Sequence, residues 1–183
     1  MAALTMNEFR ARFLQEVRQA EETLMGDGHI SPLFVLMTGR AVIPLVPDFA
    51  DQDSKAASLT AVRLLCIAED PGMVMHRCES WLVMGDLSDG VTPGQSDGRI
   101  EVVIVILCGR IGRKLRKLSS VREIVRGPDG RATGLADIRL PGGPGVADLG
   151  GPMADVMPHN PPTAEHRLVA RVGLERMGIV IPS

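Results

Sequence analysis

Apolar residues recur at helical spacing near the start of the chain. Phe9, Phe13, Val17, Ala20 and Leu24 follow one another every three or four residues, which predicts one buried helix face. A capping box at Thr5 to Glu8 predicts the start of this helix, and Gly26-Asp27-Gly28 predicts its end. The charged positions are expected to lie off the apolar face: Arg10, Arg12, Glu16, Arg18 and Glu22.

The same spacing predicts two further helices. Residues 51–69 carry an apolar stripe and end at the stop signal Asp70-Pro71-Gly72. The stripe consists of Leu59, Val62, Leu65 and Cys66. Thr163 is expected to cap the last helix, which ends at Gly178 and docks either on the main body or on another molecule. Its expected apolar face comprises Leu168, Val169, Val172 and Met177.

Alternating or β-branched runs predict six strands, at 33–37, 41–46, 73–84, 99–108, 114–126 and 131–140. Thr38-Gly39-Arg40 is short enough to join the first two strands as a hairpin. Pro44 cannot donate to a strand ladder and therefore places the second strand at an edge or a bulge. The run 100–107 is almost entirely Val, Ile and Leu, which predicts a strand buried on both faces. Gly127-Pro128-Asp129-Gly130 is a predicted turn.

This order of elements favours an α+β fold with a mainly antiparallel sheet of about six strands. The first two helices are expected to cover one face of the sheet. The third helix, a Gly/Pro-rich segment or a second subunit would then cover the other face, which suggests a homodimer or larger assembly. The predicted organisation is a single α+β domain at 1–140, an extended Gly/Pro-rich arm at 141–162, and a C-terminal helix and tail at 163–183.

Composition is consistent with one globular domain. The chain has 183 residues, and 45% of them are hydrophobic, which is enough for a sizeable core. The cysteines Cys66, Cys78 and Cys108 are odd in number and widely spaced, so reduced thiols and a cytoplasmic location are expected. Neither a secretion signal nor a membrane-spanning segment is expected from the hydrophobicity pattern.

The distribution of charge is uneven, although the net charge is only −2. Residues 110–131, here called the basic ribbon, carry eight basic and two acidic side chains. This asymmetry indicates an interaction surface. The predicted partner-binding residues are Arg110, Arg113, Lys114, Arg116, Lys117, Arg122 and Arg126.

Three interpretations of the basic ribbon remain open. It could bind another protein, or it could neutralise nucleic-acid phosphates. The absence of aromatic residues between Arg110 and Arg139 and the acidic net charge argue against nucleic acid. Alternatively, the ribbon is a solvated strand whose Lys and Arg residues prevent edge-to-edge aggregation.

The strand at 73–84 is the best place for reactive chemistry. Alternation puts His76, Cys78 and Ser80 on one face and Arg77, Glu79 and Trp81 on the other. His76 and Cys78 could ligate zinc together with Cys108 or His29, but a single close pair is a weak metal signal. A buried neutral histidine beside a buried thiol is the simpler interpretation. Arg77 and Glu79 are expected to form an ion pair, with Trp81 packed beside Arg77.

The sequence therefore favours a non-enzymatic interaction or assembly protein, such as an accessory protein, an inhibitor or a particle component. It would contact a partner protein through the basic ribbon and the Gly/Pro-rich arm. A nucleic-acid-binding module using residues 110–131 is the first alternative. The second is an enzyme of unknown type centred on His76, Cys78 and Glu79. No cofactor or metal is predicted, and no phosphate-binding loop or hydrolase motif is present.

Overall fold

The computed structural model describes residues 4–83, 93–138 and 155–180. The described helices are α1 (Met6–Asp27), α2 (Gln52–Glu69) and α3 (Ala164–Arg176). The strands are β1 (Leu33–Met37), β2 (Val42–Leu45), β3 (Met73–Val83), β4 (Arg99–Ile111), β5 (Lys114–Arg126) and β6 (Ala132–Asp137). A short 3₁₀ turn at Pro93–Gln95 precedes β4. The predicted α+β class is confirmed.

The strands form one antiparallel sheet in the order β2-β1-β3-β4-β5-β6. The second strand is at an edge, as the proline within it predicts. Strand β4 lies inside the sheet and is buried from Val102 to Gly109 except at Ile104, so the prediction of a strand covered on both faces is confirmed. It continues past its predicted end to Ile111 and forms a hairpin with β5.

Local sequence signals set the ends of the helices. Thr5 and Glu8 form the predicted capping box of α1, and Gly28 ends the helix at φ 79°. Asp51 caps α2, and Thr163 caps α3. Asp70 ends α2 in the left-handed conformation at φ 45°, which glycine adopts more readily than aspartate. None of the helices in the described ranges is long and apolar enough to cross a membrane.

The helices cover both faces of the sheet. Helix α1 packs on one face, where Phe9, Ala20 and Leu24 meet apolar residues of β4 and its neighbours. Helices α2 and α3 belong to the core cluster on the opposite face. Two helices therefore share one face, as predicted, but they are α2 and α3 rather than the first two. Alternating residues of β4 need apolar cover on both sides, and this requirement separates α1 from α2.

One charged residue of α1 was expected to lie off the apolar face but is buried. Glu16 is only 2% exposed, because its spacing of three or four residues from Phe13 and Ala20 places it within the apolar stripe. Arg12, one turn before it, forms an ion pair with its carboxylate at 2.5 Å. This pairing offsets part of the cost of burying the charge.

Residues 155–162 are the described end of the predicted Gly/Pro-rich arm, and they pack onto the body. Val156 and Met157 are 1% and 2% exposed and belong to the same core cluster as α2 and α3. The remainder of the predicted arm, up to residue 154, lies outside the described residues. Helix α3 is therefore joined to the main body through a packed segment.

Helix α1 approaches the sheet closely at Gly109. A Cβ atom added there would lie 2.6 Å from Phe9 Cε2 and 3.1 Å from Met73 Cγ. We expect Gly109→Ala to lower the free energy of unfolding by about 1–3 kcal/mol, because the added methyl group overpacks the interface. Urea denaturation measures this change. The matched control is Gly134→Ala, where an added Cβ meets no atom within 4 Å. Equal stability of the two variants would contradict the predicted close contact.

Candidate interaction surface

The basic ribbon is part of the main sheet. Its residues lie on the end of β4, on the tight turn between β4 and β5, and along β5 and the following turn. Ile111 pairs with Lys114, which leaves Gly112 and Arg113 as a two-residue loop. Gly112 has φ 59°, as a type II′ turn requires at its first central position. The hairpin is therefore held in one register by its turn and by its pairing with β3.

Arg110 binds groups of its own chain. Its guanidinium donates to the carbonyl oxygens of His159 at 2.8 Å and Pro158 at 3.0 Å, and it lies 3.8 Å from the Asp70 carboxylate. Its side chain is only 13% exposed. Arg110 thus links the sheet to the C-terminal end of α2 and to the segment before α3.

Arg122 also binds its own chain. Its guanidinium lies 3.2 Å from the Glu21 carboxylate and 3.3 Å from that of Asp137. It also donates to the Leu135 carbonyl oxygen at 2.6 Å. These contacts connect β5 to α1 and β6.

Arg126 makes a two-pronged ion pair with Glu101, at 2.7 and 2.6 Å. This geometry is the strong form of an arginine–carboxylate contact. The hydrogen bonds from Arg126 lower the pKa of the Glu101 carboxyl and raise the pKa of Arg126 itself. Arg126 also donates to the Gly130 carbonyl oxygen at 3.1 Å, which ties the pair to the following turn.

Three residues at the hairpin tip differ from these arginines. Arg113, Lys114 and Arg116 are exposed, and no salt bridge to them occurs in the described part of the chain. We call them the tip cations. Lys114 and Arg116 lie on the α1 face of the sheet, since they alternate with Leu115 and pair with Ile111 and Gly109.

Lys117 and Arg131 complete the ribbon. Lys117 pairs with Cys108 on the α2 face, where it is half-buried and its charge opposes the rise in the pKa of that thiol. Arg131 is exposed and lies 3.8 Å from Asp129 within its own turn. The seven predicted partner-binding residues therefore do not form one uniform surface. Their assignment to a partner stays a prediction, and the tip cations are the part of it best placed to meet one.

The residues of the alternative enzyme centre do not converge. His76 and Cys78 lie on the α2 face of β3, whereas Glu79 lies on the α1 face and accepts a hydrogen bond from the Ile30 backbone at 2.6 Å. The predicted ion pair between Arg77 and Glu79 is absent from the described contacts. Arg99, not Arg77, stacks on Trp81, with its guanidinium 4.9 Å from the ring centroid. The antiparallel register places Arg99 opposite Val83, which makes it a diagonal neighbour of Trp81.

His76 has the environment of a core histidine. It is 4% exposed, stacks on Phe34 with ring centroids 4.2 Å apart, and donates from Nδ1 to the Leu33 carbonyl oxygen at 3.2 Å. Burial lowers the pKa of His76 to about 4. The ring is therefore neutral at pH 7, in agreement with the simpler interpretation of its sequence context.

The three cysteines are free and buried. Burial raises the pKa of Cys66 to about 12, and it raises the pKa values of Cys78 and Cys108 to about 11. At neutral pH these groups are thiols, whereas the thiolate is the nucleophile and the metal ligand. Their environment is that of small apolar core residues.

Neither metal coordination nor known relatives assign a function to these residues. Within residues 4–83, 93–138 and 155–180, no group of three or more His, Cys, Asp and Glu side chains is arranged to hold a metal ion. Comparisons with protein-family models, with curated proteins and with solved structures found no match.

The buried histidine generates a prediction about pH. The pKa of His76 is about 4 when folded and about 6.5 when unfolded, so the unfolded chain takes up the proton first as the pH falls. As the pH falls from 6.5 to 4, protonation of His76 in the unfolded chain should lower the free energy of unfolding by up to about 3 kcal/mol. His76→Asn should show a shallower pH dependence than the wild type in urea denaturation. His29→Asn, at an exposed site, should keep the wild-type slope. Equal slopes for all three proteins would contradict a neutral buried His76.

Proposed function

We propose that this chain is a non-enzymatic interaction protein that contacts an acidic surface of a partner protein through the tip cations. The observation that carries this proposal is a contrast within the basic ribbon. Arg110, Arg122 and Arg126 are each bound to acidic or carbonyl groups of the same chain. The tip cations are exposed on a hairpin of fixed register.

The location of the tip cations supports a contact with an anionic surface. Within the described residues, β6 pairs with the Arg122–Arg126 end of β5, so Lys114 and Arg116 lie beyond this pairing. The first turn of α1 packs near the base of the hairpin, since Leu4 and Met6 belong to the same cluster as Ile111 and Leu118.

A protein partner fits the charge balance better than nucleic acid does. Three exposed cations and an overall net charge of −2 give little electrostatic driving force for a long polyanion. A local acidic patch on a protein requires only local complementarity, which raises the rate of association and the specificity. The nucleic-acid alternative remains an outcome of the test below.

The same exposure fits a purely protective role, in which the charges of the tip cations prevent the end of β5 near the hairpin turn from pairing with another sheet. The two roles predict different consequences of charge reversal. Protection requires charge of either sign, whereas binding to an acidic partner requires positive charge.

The test reverses all three tip cations in Arg113→Glu, Lys114→Glu and Arg116→Glu. We expect the free energy of unfolding to stay within about 0.5 kcal/mol of the wild type, because these side chains make no salt bridge in the described chain. Partner recovery should be lost when the variant replaces the wild type as bait in extracts of the source cells.

The matched control reverses three exposed cations elsewhere, in Arg10→Glu, Arg18→Glu and Arg40→Glu. It changes the net charge equally and should retain the partner. Recovery of the same protein by the tip variant would overturn the proposal. Loss of recovery after nuclease treatment would instead favour the nucleic-acid alternative.

A further inference from the structure

Helix α3 carries an apolar stripe on its outer side. Leu168 and Val169 are both 64% exposed, and Val172 is 39% exposed. The sequence predicted these residues as part of a docking face, but the helix docks on the body through other positions. Ala170 and Leu174 are buried in the core cluster. The apolar stripe therefore keeps exposed surface while other positions dock the helix.

The inner side of α3 packs closely against α2. A Cβ atom added at Gly173 would lie 3.1 Å from Leu64 Cδ1, which shows how closely the helices approach. Arg167 pairs with Asp70 at 3.0 Å, and Arg171 pairs with Glu69 at 3.2 Å. These contacts fix the orientation of α3 and leave the apolar stripe facing outward.

Opposite charges lie at the two ends of the apolar stripe. Glu165 precedes Leu168 by three residues, and Arg176 follows Val172 by four, so both share the outer face of the helix. Both side chains belong to exposed residues. The outer face thus runs from an acidic end through an apolar centre to a basic end.

The outer faces of two copies of α3 are complementary when the two helices run antiparallel. A two-fold axis passing between positions 170 and 171 would place Val169 against the partner's Val172. The same axis would place Glu165 against the partner's Arg176, and the symmetry repeats each contact. A parallel pairing would instead bring like charges together. The charge pattern therefore favours a second copy of the chain as the occupant of this face.

We propose that the chain forms a two-fold symmetric homodimer through antiparallel packing of α3. A contact made by a single helix of 13 residues lies at the low end of specific interfaces. We expect a concentration-dependent equilibrium with a dissociation constant of about 1–100 μM. The dimer uses a surface separate from the tip cations.

Sedimentation velocity of the full chain over this concentration range tests the proposal. The wild type should shift from monomer to dimer as its concentration increases. Leu168→Lys should raise the dissociation constant at least about tenfold, because each of the two copies then places a charge in the apolar centre of the interface. The matched control is Leu14→Lys on α1, where the leucine is 58% exposed, and it should dimerise like the wild type. Circular dichroism should show unchanged helix content in both variants.

Charge reversal tests the antiparallel register directly. Glu165→Arg alone and Arg176→Glu alone should each weaken dimerisation, since each brings like charges together. An equimolar mixture of the two variants should form a heterodimer, because each variant then supplies the charge that the other lacks. The tip-cation triple variant should still dimerise, so failure of the partner-binding proposal would leave this one unaffected.

Three results would overturn the homodimer. The wild type could remain monomeric at several times the upper end of the expected range, or Leu168→Lys could dimerise as well as Leu14→Lys does. The mixture of charge variants could also fail to form a heterodimer. Restored dimerisation in the mixture, together with the leucine result, would support both the interface and its direction.

Discussion

The burial of β4 on both faces is the constraint on which the rest of the structure depends. Val103, Val105 and Leu107 face α1, whereas Ile106 and Cys108 face the cluster formed with α2 and α3. Removing apolar surface from water is the main favourable term in folding, so both sides of the strand must be covered. The sheet accordingly lies between two helical layers. The same constraint applies near the end of the strand, where Gly109 has no side chain and leaves room for the Phe9 ring.

The C-terminal end of α2 connects the second helical layer to the sheet. Asp70 lies 3.8 Å from Arg110 of β4 and 3.0 Å from Arg167 of α3. Arg110 also holds the carbonyl groups of residues 158 and 159, so the segment before α3 is bound to the same point. Because these groups are partly shielded from solvent, their attraction is screened less than that of fully exposed pairs. Asp70 and its two arginine partners therefore hold β4, the end of α2 and the start of α3 together.

Internal pairing determines which surfaces remain for other molecules. The ribbon arginines near acidic side chains contribute to the fold, and the tip cations remain exposed. Similarly, α3 uses Ala170 and Leu174 to dock and leaves Leu168, Val169 and Val172 outside. Our two proposals therefore concern surfaces that the described intramolecular contacts leave available. One surface is cationic and the other is mainly apolar, so they suit different partners.

The sequence by itself determined the local elements. The capping box at Thr5, the left-handed glycine at position 28 and the turn at 127–130 depend on neighbouring residues, so their positions could be read directly. The apolar run in β4 likewise required a strand covered on both faces. The basic ribbon was also visible as an excess of charge, although its division into bound and exposed cations was not.

Only the tertiary structure decided the arrangements that join distant parts of the chain. Arg122 meets Glu21, which is 101 residues away, and the Ile30 backbone donates to Glu79, which is 49 residues away. Helical spacing shows which residues share a face, but it does not show which face the rest of the molecule covers. The outward position of Leu168 and the pairing of Arg110 were consequently set by packing between elements. These long-range contacts decide which residues are used to stabilise the fold and which stay exposed, where a partner could bind them.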